Sequence, residues 1–201
     1  MAIKEYASLS YWNYFLALES DLVHLSRFVE FTTDNFKTHS IEMVHLLLTA
    51  ASEVDVVIKQ LCKRVSPTEP ANDMKDCRKI LQQEYPDLAK MKVCLPRYGL
   101  ELTPWLNWQQ DKSPDWWSDH NKVKHRRGEH FNKANLKNVL NAIGGLFLVL
   151  VLFYRGQTER HRLVPAPSLF DGPGELMQRS HYIDGQTGLC IEPTESLMRD
   201  R

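Results

Sequence analysis

The 201-residue chain lacks most of the features that would assign a chemistry at sight. Its formal net charge is zero, with 25 Lys plus Arg balanced by 25 Asp plus Glu, which excludes a globally basic nucleic-acid binder and a polyanionic solvating tail. Only four cysteines occur, Cys62, Cys77, Cys94 and Cys190, and no two form a C-x-x-C pair, a spacing that argues against a thiolate zinc site. No H-E-x-x-H occurs, and His120 and His125, five residues apart, do not share a helix face. There is no Gly-rich phosphate loop and no G-x-S-x-G elbow, which sets aside a conventional NTPase or hydrolase. No internal repeat or low-complexity tract is present. The start, MAIKEYASLSYW, has no apolar segment behind a basic one, so a cytoplasmic protein with reduced thiols is expected. The longest greasy run, Ala142 to Tyr154, is shorter than the ~20 residues of a membrane span and reads as a buried core helix, so no membrane association is expected.

What is present is helical patterning. Phe15, Leu18, Leu22, Leu25 and Val29 follow the 3-4-3-4 spacing of one amphipathic stripe, predicting a helix over roughly Ser10 to Phe36 that weakens at Thr33-Asp34-Asn35. Ser40 offers an N-cap for a second helix, Ile41 to about Arg64, with the seam Val44, Leu47, Ala51, Val54, Ile58 and Leu61. Ser66-Pro67 stops it, because the residue before proline is pushed out of the α region. A polar helix over Asn72 to Glu84 follows, then an irregular insertion from Lys92 to Trp108, broken by Pro96, Gly99 and Pro104, with room for one short hairpin.

Ser113-Pro114-Asp115 predicts a new helix start, with Ser as cap, Pro at the first helical position and Asp at the positive end of the dipole. That short helix carries Trp116, Trp117 and Asn121 and breaks near Gly128. A last long helix, Asn132 to Tyr154, is apolar nearly all round and should be central; its Gly144-Gly145 pair reads as close helix packing. After Arg155, four prolines and five glycines leave no long periodic segment, and Asp184-Gly185 suggests a tight turn. The expected organisation is a bundle over 1–155 and an irregular extension over 156–201, packed on the bundle or on a partner.

Charge is uneven along the chain. Residues 112–137 hold seven Lys or Arg against three acids, a local +4, whereas residues 1–60 hold four bases against eight acids. Such asymmetry focuses positive potential where a phosphate can be held. Trp116, Trp117 and three histidines share the basic stretch, and a base stacked on an aromatic ring contributes ~1–3 kcal/mol. Two adjacent indoles on a helix point apart, so at most one of them meets a ligand.

The run Trp116-Trp117, Asn121-Lys122-Val123-Lys124-His125-x-Arg127, followed by a long apolar helix, resembles a variant motif of the HEPN superfamily. Glu53-Val54-Asp55 in the second helix resembles the acidic pair of many members, and the likeness covers about residues 10–155. It implies an all-α HEPN-like bundle of four to five helices in a prokaryotic toxin–antitoxin or antiviral setting. It also implies metal-independent RNA cleavage without a cofactor, by a homodimer whose two motifs share a cleft, with a possible antitoxin or other defence-system partner. In that scheme His125 moves the proton, Lys124 and Arg127 hold the phosphate, and Asn121 shares the His125 face at i,i+4. His130 and Arg126 are second choices, Glu53 and Asp55 support, and Trp117 and Lys122 contact nucleic acid. The residue types suit the task, since imidazole titrates near neutral pH and guanidinium grips phosphate as a fork.

The spacing departs from the family's ribonucleases, which place His several residues after Arg. Here Arg126 and His130 are separated by three residues, and Asn121 and His125 also by three, as in the polar variant. A non-catalytic HEPN-like module that binds nucleic acid, nucleotide or a partner protein is therefore the alternative. A purely structural α-bundle is a third reading. For Asp55 the plain reading is a surface pair with Lys59 at i+4; the sharper one is a carboxylate orienting His125 or Arg127.

Overall fold

A computed structural model describes residues 8–155, 163–174, 177–183 and 187–193. The architecture is all-α with two small two-stranded sheets: α1 (Ser10–Leu25), α2 (Ile41–Val65), α3 (Met74–Glu84), β1 (Val93–Leu95), β2 (Leu100–Leu102), α4 (Asp115–His130), α5 (Leu136–Tyr154), β3 (Met177–Ile183) and β4 (Thr187–Pro193).

The two seams form as their periodicity requires. Phe15, Leu18, Leu22 and Leu25 of α1 and all six seam residues of α2 are buried. The Ser40 hydroxyl accepts the Met43 N–H at 3.2 Å, capping α2. α1 ends at Leu25 rather than near Phe36, because the Ser26 hydroxyl donates to the Val23 carbonyl and the chain turns to drive Phe31 fully into the core. α3 starts at Met74, where the Asp73 carboxylate accepts the N–H groups of Lys75 and Asp76.

α5 is the axis of the bundle. It packs most extensively on α2 and also touches α1, α4, β2 and β4. It is long and apolar enough to cross a membrane by length and composition, yet 89% of its most apolar window is buried inside the protein. It begins at Leu136, four residues later than its sequence pattern suggests, because the Asn135 side chain caps it by accepting the Asn138 N–H. Gly145 lets it approach the insertion: a Cβ there would meet Trp116 and Trp105 ring carbons at 3.3 and 3.4 Å. At its far end the Arg64 guanidinium donates to the Phe153 carbonyl and lies 4.2 Å from the Phe153 ring centroid.

The insertion does hold a hairpin, with Val93 opposite Leu102 and Leu95 opposite Leu100. Gly99 takes φ 61° at its turn, a backbone that favours glycine. The extension is less irregular than expected. Backbone bonds join Cys94 to Asp171 in both directions, at 2.8 and 2.9 Å. Phe170 is fully buried against Phe15 and Phe147, and β3 pairs antiparallel with β4 from Met177–Pro193 to Ile183–Thr187. The expected Asp184-Gly185 turn lies outside the described residues. Cys62, Cys77 and Cys94 are free thiols, the first two buried.

Candidate functional site

α4 carries the basic segment and presents three faces. Trp116, His120 and Val123, at i, i+4 and i+7, are buried toward α5 and the insertion. Asp115, Ser118, Asp119 and Lys122 form a second face along a cleft. Asn121, Lys124 and His125 lie on the remaining side, Asn121 half-buried and the other two exposed. The expected Ser113 cap is not made: Pro114 occupies the cap position with no side-chain hydrogen bond, and Asp115 supplies the acid of the first turn.

Helical geometry runs unbroken from Asp115 through His125, which keeps Asn121 and His125 one turn apart. It fails at Arg126 (φ −141°, ψ 53°), and the helix resumes to His130. The expected break at Gly128 is therefore a kink two residues earlier. This kink re-aims Arg127 and His130 relative to His125. Arg126 and His130 approach Glu129 at 3.9 and 4.0 Å. Lys124 and Arg127 are exposed and meet no carboxylate within ion-pair distance among the described residues.

The two tryptophans divide as adjacent indoles must. Trp116 is 2% exposed and its Nε1–H donates to the Pro104 carbonyl at 2.8 Å. Trp117 is half-buried, stands edge-on to Trp116 and packs on the His120 ring at a centroid distance of 5.3 Å. On α2, the Lys59 ammonium donates to the Asp55 carboxylate at 2.7 Å, the plain i,i+4 pair. Glu53 is half-buried, and burial raises its pKa above the usual carboxylate value.

The sequence pattern assigns His120 no role. It is 5% exposed, and its Nδ1 is buried with no hydrogen-bond partner. Burial, and then the positive groups of Lys124 and His125, push its pKa down to about 4, against a smaller opposing pull from Asp55. His120, Lys124, His125 and Asp55 are thus brought into one electrostatic neighbourhood where α2 meets α4. Among the described residues no group of three His, Cys, Asp or Glu is arranged to hold a metal ion.

Asp119 and Asn138 were also missed. Asp119 is nearly buried; its Oδ2 accepts the Asn138 Nδ2–H at 3.0 Å and its Oδ1 accepts the Lys122 Nζ–H at 2.8 Å. The only sequence signal was an asparagine at an otherwise apolar helix position, Asn138 beside Val139. Compared with protein-family models, with curated proteins and with solved structures, the chain matches none.

Proposed function

We propose that the chain is a HEPN-like, RNA-directed protein of a toxin or antiviral-defence system, in which the Lys124–Arg127 segment holds phosphate and His125 moves a proton during metal-independent cleavage. The observation that carries this reading is the solvent-facing run Lys124, His125, Arg127 at a helix kink, with neither flanking cation neutralised by a described carboxylate. Ammonium and guanidinium groups left unpaired on an exposed helix segment attract a polyanion. One copy supplies one exposed imidazole on this face, so acid and base roles at the 2′-hydroxyl and leaving oxygen call for a homodimer.

The second reading, a non-catalytic module binding RNA through the same segment, is favoured by the kink at Arg126 and by the lack of any described hydrogen bond that orients the His125 ring. The deciding experiment incubates purified protein with mixed RNA in EDTA beside the His125→Ala variant. Cleavage that survives chelation and disappears with His125 supports the ribonuclease. Salt-sensitive binding without cleavage supports the module. Absence of both defeats the two readings together.

A further inference from the structure

We infer that the cleft between the 33–37 turn, the start of α4 and the start of α5 binds a small molecule bearing two directly linked phosphoryl groups. The inference does not rest on the RNA reading, because this cleft lies on a different face of α4 from Lys124 and His125. Its volume is about 760 Å³, within the ~300–1,000 Å³ typical of small-molecule sites. Its lining is polar apart from Phe36 and includes four lysines, Lys37, Lys122, Lys133 and Lys137.

Three aspartates share the lining, and their placement decides the sign of the site. Asp119 is already engaged: it holds Lys122 at 2.8 Å, lies 3.8 Å from Lys133, and is itself held by Asn138. Asn138 is 5% exposed and its amide also donates to the Lys133 carbonyl at 2.9 Å, so it is fixed in orientation. The carboxylate therefore positions two ammonium groups at the wall. Asp115 accepts from Asn107 and sits in the first turn of α4, where it offsets the positive helix end, and Asp34 is exposed on the 33–37 turn, so four ammonium groups face three carboxylates and the lining is net positive. Lys37 and Lys137 remain, both exposed and without a carboxylate partner among the described residues. Their backbones are tied together, since the Lys137 N–H donates to the Phe36 carbonyl at 3.2 Å.

The result is two pairs of ammonium groups, one pair braced by Asp119 and one pair free. Two linked phosphoryl groups carry more negative charge than one and offer oxygens to both pairs, as charge-assisted hydrogen bonds from each ammonium. The polar lining offers little to an apolar peptide.

Titration calorimetry and thermal melting of the full chain with pyrophosphate, with orthophosphate at matched ionic strength as the control, test the site. Pyrophosphate should bind saturably, more tightly than orthophosphate, and raise the melting temperature. In the Lys37→Ala/Lys137→Ala double variant the affinity should fall by at least roughly tenfold. The unliganded melting temperature should not change, because both side chains are exposed. Absence of saturable binding, equal affinity for the two anions, or an unchanged affinity in the double variant overturns the proposal. An RNA oligonucleotide that displaces pyrophosphate, and whose own binding is lost in the double variant, overturns it in favour of backbone phosphate.

Discussion

The Glu19 Oε1 on α1 accepts the Leu169 N–H at 2.8 Å, a bond that spans 150 residues of sequence. The same carboxylate accepts the N–H groups of Ser168 and Phe170 and the Ser168 hydroxyl, and Glu19 is only 3% exposed. A buried charge is tolerated where its lone pairs are filled, and here three consecutive backbone amides and a hydroxyl fill them. This anchor, together with the Trp12 Nε1–H donating to the Pro165 carbonyl, makes residues 163–174 part of the bundle rather than an appendage.

Replacing Glu19 by Ala should therefore cost roughly 3–5 kcal/mol, since several buried donors lose their acceptor at once. Glu19→Gln should cost less, about 2 kcal/mol, because one carbonyl oxygen still accepts. Urea unfolding measures both. Amide hydrogen exchange at Leu169 and Phe170 should rise by orders of magnitude in Glu19→Ala, and unchanged protection there would refute the anchor.

The two glycines of α5 should respond in opposite directions. A Cβ on Gly144 would sit at ordinary contact distance, 3.5 Å from Pro104 and more from its other neighbours. Gly144→Ala should stabilise by about 0.5–1 kcal/mol through helix propensity. At Gly145 the methyl would meet two rigid indoles at 3.3 and 3.4 Å. There the steric cost should exceed that gain, so Gly145→Ala should destabilise by about 1 kcal/mol. Thermal melts of the two variants side by side decide it.

His120 should make the fold acid-sensitive. Its pKa in the folded protein lies near 4, below the ordinary 6.5, so the unfolded chain binds the proton first. Its contribution is complete above about pH 6.5, declines as the pH falls, and is lost by about pH 4, a swing of about 3 kcal/mol. Unfolding free energies from pH 7 to pH 4 should show this slope in the wild type. The His120→Leu variant should lose that part of the slope; an identical profile would mean that His120 is protonated without penalty in the fold.

If Lys124 and Arg127 hold RNA phosphates, Lys124→Ala and Arg127→Ala should each reduce the slope of log affinity against log salt by about 0.7–1. Neither should lower the unfolding free energy by more than the ~0.5 kcal/mol of a surface change. Filter binding over a salt series reads the slope. The same experiment with Lys59→Ala serves as a control, because Lys59 is paired with Asp55.

Local pattern alone determined much of this protein. The seams of α1 and α2, the Ser40 cap, the stop at Ser66-Pro67 and the greasy α5 all follow from side-chain periodicity and capping chemistry within a few residues. The basic composition of α4 and the division of labour between Trp116 and Trp117 were legible for the same reason. Tertiary structure decided what depends on partners far away in the chain. Glu19 stands among apolar stripe residues on α1 and has meaning only once 168–170 arrives. Asp119 reads as a surface acid until Asn138, 19 residues on, turns it into a brace. His120 differs from His125 by five positions in one helix, yet one is buried and neutral-favouring while the other faces solvent. The kink at Arg126 sets where the cations point. Periodicity fixes which residues of a helix share a face. Only packing of one helix against the rest decides which face meets the core, a partner carboxylate or open water.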